Sequence, residues 1–235
     1  DIHLTNIMTT IADRISIAQS RISQAAQKCS RSSAEISLLA VSKTKPISDI
    51  IAAYQAGQRL FGENYVQEGE TKITALQADY PDIEWHFIGP LQSNKSKIIA
   101  EHFDWMHTLS RDKIAQRLHE QRPNDKPPLN VCIQVNISQE QSKSGVNPED
   151  VATLALTIAS LSNLKLRGLM AIPTATDDVQ LQQQEFSQLK QLFDQLKLQY
   201  PSVDTLSMGM SGDMDIAIAN GSTMVRIGSA IFGER

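Results

Sequence analysis

The amino-acid sequence predicts an α/β protein: a single-domain (β/α)8 TIM barrel with an extra N-terminal helix. Three observations carry this. Eight short, apolar, β-rich runs recur along the chain, amphipathic helical patterns lie between them, and 235 residues are barely enough for one such barrel once the first helix is set aside. Fewer paired strands would instead give an open, doubly wound sheet. No Pro/Ser/Gly-rich linker divides the chain, and the polar stretch 122–128 is short. Residues 1–235 are therefore expected to form one domain, with 1–30 a helix packed on the barrel.

Taken in order, residues 6–28 read as a helix, with Ile7, Ile11, Ala18, Ile22 and Ala25 on one face. Strands are expected at 38–42, 59–62, 84–88, 103–109, 129–137, 165–172, 204–208 and 223–227. Ser110 and Asp112 open a helix through Ile114 and Leu118. Asn147-Pro148-Glu149-Asp150 reads as an N-cap, a first-turn proline and early acids. It introduces Val151, Leu154, Ala155, Ile158 and Leu161 on one face. The Gln-rich stretch 179–199 keeps Phe186, Leu189, Phe193, Leu196 and Tyr200 at helical spacing. Its glutamines therefore read as the wet face of a helix rather than as a prion-like tract.

Composition narrows the function. Twenty-two Lys and Arg against 26 Asp and Glu give a formal charge of −4, which argues against nucleic-acid and anionic-membrane partners. No apolar run approaches the ~18 residues needed to span a bilayer. Asp1-Ile2-His3-Leu4 has neither a basic n-region nor a signal-peptide core, and without a Met at its head a few residues are expected to be trimmed or replaced. The two cysteines, Cys29 and Cys132, stand far apart, which supports neither a disulfide framework nor a zinc site. A reducing cytoplasm fits, and no metal is expected.

Barrels place functional side chains at the carboxyl ends of their strands. Strand 1 ends in Val41-Ser42-Lys43-Thr44-Lys45-Pro46. A lysine pointing into a desolvated mouth is the amine that forms a Schiff base with an aldehyde; the alternative is a pair of solvated loop lysines. Alternation leaves Lys43 and Lys45 on the same face. The loops after strands 7 and 8 carry Gly209, Ser211, Gly212, Gly228 and Ser229, small enough to admit a phosphate to the backbone, or else simply turns that close the barrel. Asp213 and Asp215 oppose a dianion there unless they point outward. Asn64 after strand 2 could contact a planar ligand or cap the next helix. His86, inside an apolar strand, fits a satisfied core residue better than a catalyst. Lys143 sits in a loop after strand 5, with a lid contact as the second reading.

Long motifs in a fixed order then identify the chain: LLAVSKTKP, FGENYVQE, EWHFIGPLQSNKSK, the segment 136–145 in outline, LRGLMAIP, TLSMGMSGDM and GSTMVRIGSAIFG. Over nearly its whole length the sequence resembles the pyridoxal phosphate homeostasis family (YggS-like, or proline synthase co-transcribed, proteins). The resemblance implies a barrel of the alanine-racemase N-terminal-domain type carrying pyridoxal 5′-phosphate (PLP). It makes Lys43 the lysine that holds PLP as an aldimine and sets Arg226 against the pyridine nitrogen. Ser211, Gly228 and Ser229 are then expected to hold the phosphate, with Asn64 also at the cofactor. Any polar tail of the family is expected beyond Arg235.

The resemblance implies a role in intracellular vitamin B6 and amino-acid homeostasis without established turnover, rather than an enzyme. The expected partners are PLP, other B6 vitamers, amino acids and PLP-dependent apo-enzymes, with the chain itself a monomer. Arginine at the ring nitrogen fits this, because a guanidinium stays protonated and leaves the ring a poor electron sink. Of the four tyrosines only Tyr65 falls near the mouth. The competing readings are a PLP-dependent amino-acid racemase and a lysine Schiff-base aldolase.

Overall fold

The computed structural model describes residues 9–138, 140, 141 and 144–234. Eight strands close a wholly parallel barrel in chain order: β1 (Ser37–Val41), β2 (Leu60–Glu63), β3 (Glu84–Phe87), β4 (Trp105–Leu109), β5 (Leu129–Gln134), β6 (Leu164–Met170), β7 (Thr205–Ser207) and β8 (Met224–Ile227). The barrel closes through β8 and β1, which run in register from Ser37–Met224 to Ala40–Ile227. All eight expected strands form. β5 stops three residues short of its expected end, and beyond it Val135 makes only an isolated bridge to Val146.

Strands in such a sheet are buried on both faces, which is why they read as apolar runs rather than as alternations. Leu38, Leu39 and Ala40 of β1 are all buried. One face packs against the outer helices. The other fills the lumen, where Leu39, Ile88 and Met224 meet with Val41 and Leu60, and Trp105, Cys132 and Met170 form a second small cluster.

The helices between strands are α2 (Ile47–Gln55), α3 (Val66–Leu76), α4 (Ser96–His102), α5 (Asp112–Gln121), α6 (Val151–Ala159), α7 (Val179–Gln199) and α8 (Met214–Ala219). α1 (Ile11–Lys28) precedes the barrel and α9 (Ser229–Phe232) follows β8. A Thr10–Asp13 capping box starts α1, a device worth about 1 kcal/mol. Ile15, Ala18, Ile22, Ala25 and Ala26 make its buried face. Its arginines then reach the mouth of the barrel: Arg14 donates to Ile231 O at 3.1 Å, and Arg21 to Ser211 O at 2.9 Å. The expected start of this helix, including Ile7, lies outside the described residues.

Two expected caps differ. Asn147 makes no side-chain cap bond; Pro148–Asp150 forms a 3-10 turn, and α6 begins after it. Arg111, not Ser110, precedes α5, and it too makes no side-chain cap bond. The Gln-rich helix α7 spans the expected residues, opened by Asp178, which accepts from the Gln180 and Leu181 N–H groups.

Candidate functional site

The carboxyl end of β1 is fixed by a buried ionic cluster. Ser42 N donates to Gly62 O at 2.9 Å, and Ser42 O accepts from Lys72 Nζ at 2.7 Å. Lys72 also lies 3.0 Å from both Glu63 carboxylate oxygens and 2.8 Å from Glu68. Ser42 Oγ donates to Glu63, and Thr44 N donates to Glu68 at 2.5 Å. The residues on either side of Lys43 are thus tied to α3 and β2. Thr44 accepts a φ of 64°, a strained conformation for a β-branched residue that the Glu68 bond helps to hold. Burial pushes the Glu63 carboxyl up to about 7 against the pull of Lys72 and Ser42. Partial burial works the same way on Glu68, yet hydrogen bonds from Lys72 and Thr44 hold it below its usual range.

Above this cluster a cleft of about 430 Å³ opens, a volume suited to a small molecule. Lys43, Ser211, Arg226, Gly228 and Ser229 all line it, with Val41 as an apolar wall. Lys45 lines it too, but its ammonium donates to Gly233 O at 2.8 Å and to Glu234 O at 3.1 Å. Lys43 Nζ makes no hydrogen bond or ion pair among the described residues. Asp213 is turned back onto its own loop, accepting from Met210 N at 2.7 Å, and Asp215 is exposed. The short α9 starts at Ser229 after Gly228, whose carbonyl accepts from the Ile231 and Phe232 N–H groups.

Arg226 is buried beneath this cleft. Its Nη1 donates to Ser207 Oγ at 2.7 Å and its Nη2 to Ala171 O at 3.0 Å. Burial lowers its pKa to about 10, opposed by the charge of Asp213, so it remains a cation at neutral pH. Ser207 Oγ lies 2.8 Å from His107 Nδ1, His107 Nε2 lies 2.8 Å from His86 Nδ1, and His86 Nε2 lies 2.9 Å from Glu84 Oε1. His86 is therefore satisfied in the core, as its setting in the sequence suggests. His107, Ser207 and Glu84 are its unforeseen companions; the polar residues in the apolar runs of β4 and β7 were the available signal.

Asn64 does not line the Lys43 cleft. It borders a neighbouring hollow of about 420 Å³ at the same mouth, with Tyr65, Leu91 and Lys95. Nor does it cap α3, because Tyr65 occupies that position and no side-chain cap bond forms. Its Oδ1 is buried and without a hydrogen-bond partner. Lys143 lies outside the described residues. A larger hollow of about 640 Å³ sits at the opposite, amino end of the barrel, where Arg31 pairs with Glu35 and Lys190 with Asp194. Size alone does not mark the site. Among the described residues no group of three or more His, Cys, Asp or Glu could hold a metal ion, and no helix is long and apolar enough to cross a membrane.

A closed parallel barrel with a free lysine after β1 and small-residue loops after β7 and β8 is the architecture of one known class. The profile described as "Alanine racemase, N-terminal domain" matches residues 17–235. The pyridoxal phosphate homeostasis protein of Pasteurella multocida is 58% identical over 228 residues, spanning 96% of this chain and 98% of that protein. That of Vibrio cholerae is 57% identical over 230 residues, spanning 97% and 98%. Among solved structures, PipY of Synechococcus elongatus with PLP bound aligns with a TM-score of 0.80 at 35% identity, covering 95% of this chain and all of that one. The chain belongs to the pyridoxal phosphate homeostasis protein family.

Proposed function

We propose that this chain binds PLP at the mouth of its barrel and serves PLP homeostasis as a carrier rather than as an enzyme. The observation that carries the reading is Lys43: the one amine in the cleft with no partner among the described residues, facing Ser211, Gly228 and Ser229 and standing above Arg226. When bound, PLP supplies an aldehyde that condenses with a primary amine. The residues present fit that group. The cleft has the right volume, and the loops after β7 and β8 present small residues to a phosphate.

In this reading Lys43 bonds the cofactor, Arg226 faces the ring nitrogen, and Ser211, Gly228 and Ser229 hold the phosphate. Asn64, which borders the neighbouring hollow, is left out of this set. The carrier role rests on what the chain puts around the cleft. Arg226 is a cation and donates, so it leaves a ring nitrogen unprotonated and the ring a weak electron sink. Among the described residues, the acidic and basic side chains lining the cleft are Lys43, Lys45, Arg226 and the exposed Glu234. No histidine, cysteine or tyrosine lines it among the described residues.

The test is twofold. Titration with PLP should generate a visible absorption band that Lys43→Ala lacks. Incubation of the loaded protein with amino acids in deuterated water should give no α-deuterium incorporation above a free-PLP control. Rapid exchange or racemisation would replace the carrier reading with the racemase one.

A further inference from the structure

Resting on the assignment of Arg226 to the cofactor's ring nitrogen, we propose that Glu84, His86, His107 and Ser207 form a one-way hydrogen-bond relay through the barrel lumen. The relay positions the Arg226 guanidinium beneath the cleft and connects it to a distant counter-charge.

The ends of the chain fix its direction. An ionised carboxylate only accepts and a guanidinium only donates. Glu84 must therefore receive a proton from His86 Nε2, which leaves His86 Nδ1 as the acceptor of a neutral ring. His107 Nε2–H donates to it, leaving His107 Nδ1 to accept from the Ser207 hydroxyl. Ser207 Oγ in turn accepts from Arg226 Nη1, and every contact in the series measures between 2.7 and 2.9 Å. Reversing any link demands an extra proton on one ring. Burial opposes that, holding both histidines below their usual pKa, His107 the more strongly because His86 and Arg226 flank it.

The arrangement also answers an electrostatic question. Arg226 is buried and forms no salt bridge among the described residues; the carboxylate whose charge acts on it is Asp213, which is spent on Met210 N. Glu84, at the amino face of the barrel and 40% exposed, is linked to it by unbroken hydrogen bonds through the core. His86 is locked by stacking on Trp105 at a centroid distance of 5.0 Å, so the middle of the relay cannot swing away. Barrel interiors are ordinarily filled by branched apolar side chains. A fully satisfied polar line in their place specifies one geometry, and that geometry terminates on the guanidinium.

The experiment has two arms. In apo protein carrying 15N-histidine, long-range proton–nitrogen spectra at neutral pH should show His86 and His107 neutral with the proton on Nε2. An Nδ1–H tautomer or an imidazolium at either residue overturns the relay. Affinities for PLP and for its 1-deaza analogue, which lacks the ring nitrogen, are then compared in the parent, Ser207→Ala and Glu84→Gln. Ser207→Ala should lose about tenfold of the parent's preference for PLP, the size of one charge-assisted hydrogen bond. Glu84→Gln, at the far face, should lose roughly threefold and move the His107 signals as well as those of His86. A parent without any preference overturns the cofactor assignment and this proposal with it. A parent that discriminates, with both variants discriminating equally well, overturns the relay alone.

Discussion

The Lys45 ammonium donates to the Gly233 carbonyl at 2.8 Å, so the second lysine of the β1 loop is committed to the segment that follows α9. Lys43, two residues earlier and lining the same cleft, is not. This division of labour predicts that Lys45→Ala keeps PLP affinity within roughly threefold while amide exchange across 229–234 accelerates, the loss being a pair of partly exposed hydrogen bonds. Exchange mass spectrometry beside a PLP titration reads both. A Lys45→Ala protein that loses PLP as completely as Lys43→Ala would show that the two lysines share the role.

Gly228 offers a test of the phosphate loop that spares the fold. A Cβ added there meets Val41 Cβ and O at 3.4 Å, an ordinary contact, so Gly228→Ala should be tolerated. The bulkier Gly228→Val should weaken PLP about tenfold more than it weakens pyridoxal, which has no phosphate to displace. Equal losses for the two ligands would mean that the substitution damaged the barrel instead.

The Glu63–Lys72 cluster makes stability depend on pH. Burial raises the Glu63 pKa from 4.5 to about 7, so the folded state favours the protonated carboxyl. That contribution is complete below about pH 4.5 and is lost as pH rises through 7, a change of order 3 kcal/mol at most. The histidines run the other way: His86 and His107 titrate lower in the fold, so their contribution is present above about pH 6.5 and fades on acidification. Urea unfolding of Glu63→Gln and parent should show the parent losing about 1–3 kcal/mol relative to the variant between pH 5.5 and 8. Parallel curves would place the Glu63 titration outside this range.

Lys43, Ser211, Arg226, Gly228 and Ser229 line a single cleft, and α1 ties its rim through Arg14 and Arg21. The protein is therefore expected to bind PLP as a monomer, with occupancy unchanged on dilution. Sedimentation and absorbance measured on the same dilution series check this; PLP lost in step with dissociation of a dimer would contradict it.

Much of the fold was legible in the sequence, because a parallel barrel writes each strand as an apolar run and each helix as an amphipathic one. Eight runs became eight strands, and α7 spans 179–199 as its spacing implied. Lys43, Ser211, Arg226, Gly228 and Ser229 converge on one cleft because all of them lie at or just beyond strand ends. What the sequence hid depends on packing. Alternation could not separate Lys43 from Lys45; only the carbonyls of Gly233 and Glu234 do. Asn64 is displaced into a neighbouring hollow, and Asn147 does not cap because the proline after it starts a 3-10 turn. The Glu63–Lys72–Glu68 cluster and the histidine line join residues far apart in the chain, which no local pattern reports.

The central claim, that Lys43 is the amine that takes PLP, is tested most directly by borohydride reduction of the loaded protein followed by peptide mapping. The pyridoxyl group should be found on Lys43, in the peptide containing Val41-Ser42-Lys43-Thr44, and Lys43→Ala should leave that peptide and its neighbours unlabelled. Label found chiefly on Lys45, or on a lysine outside the cleft, would contradict the account.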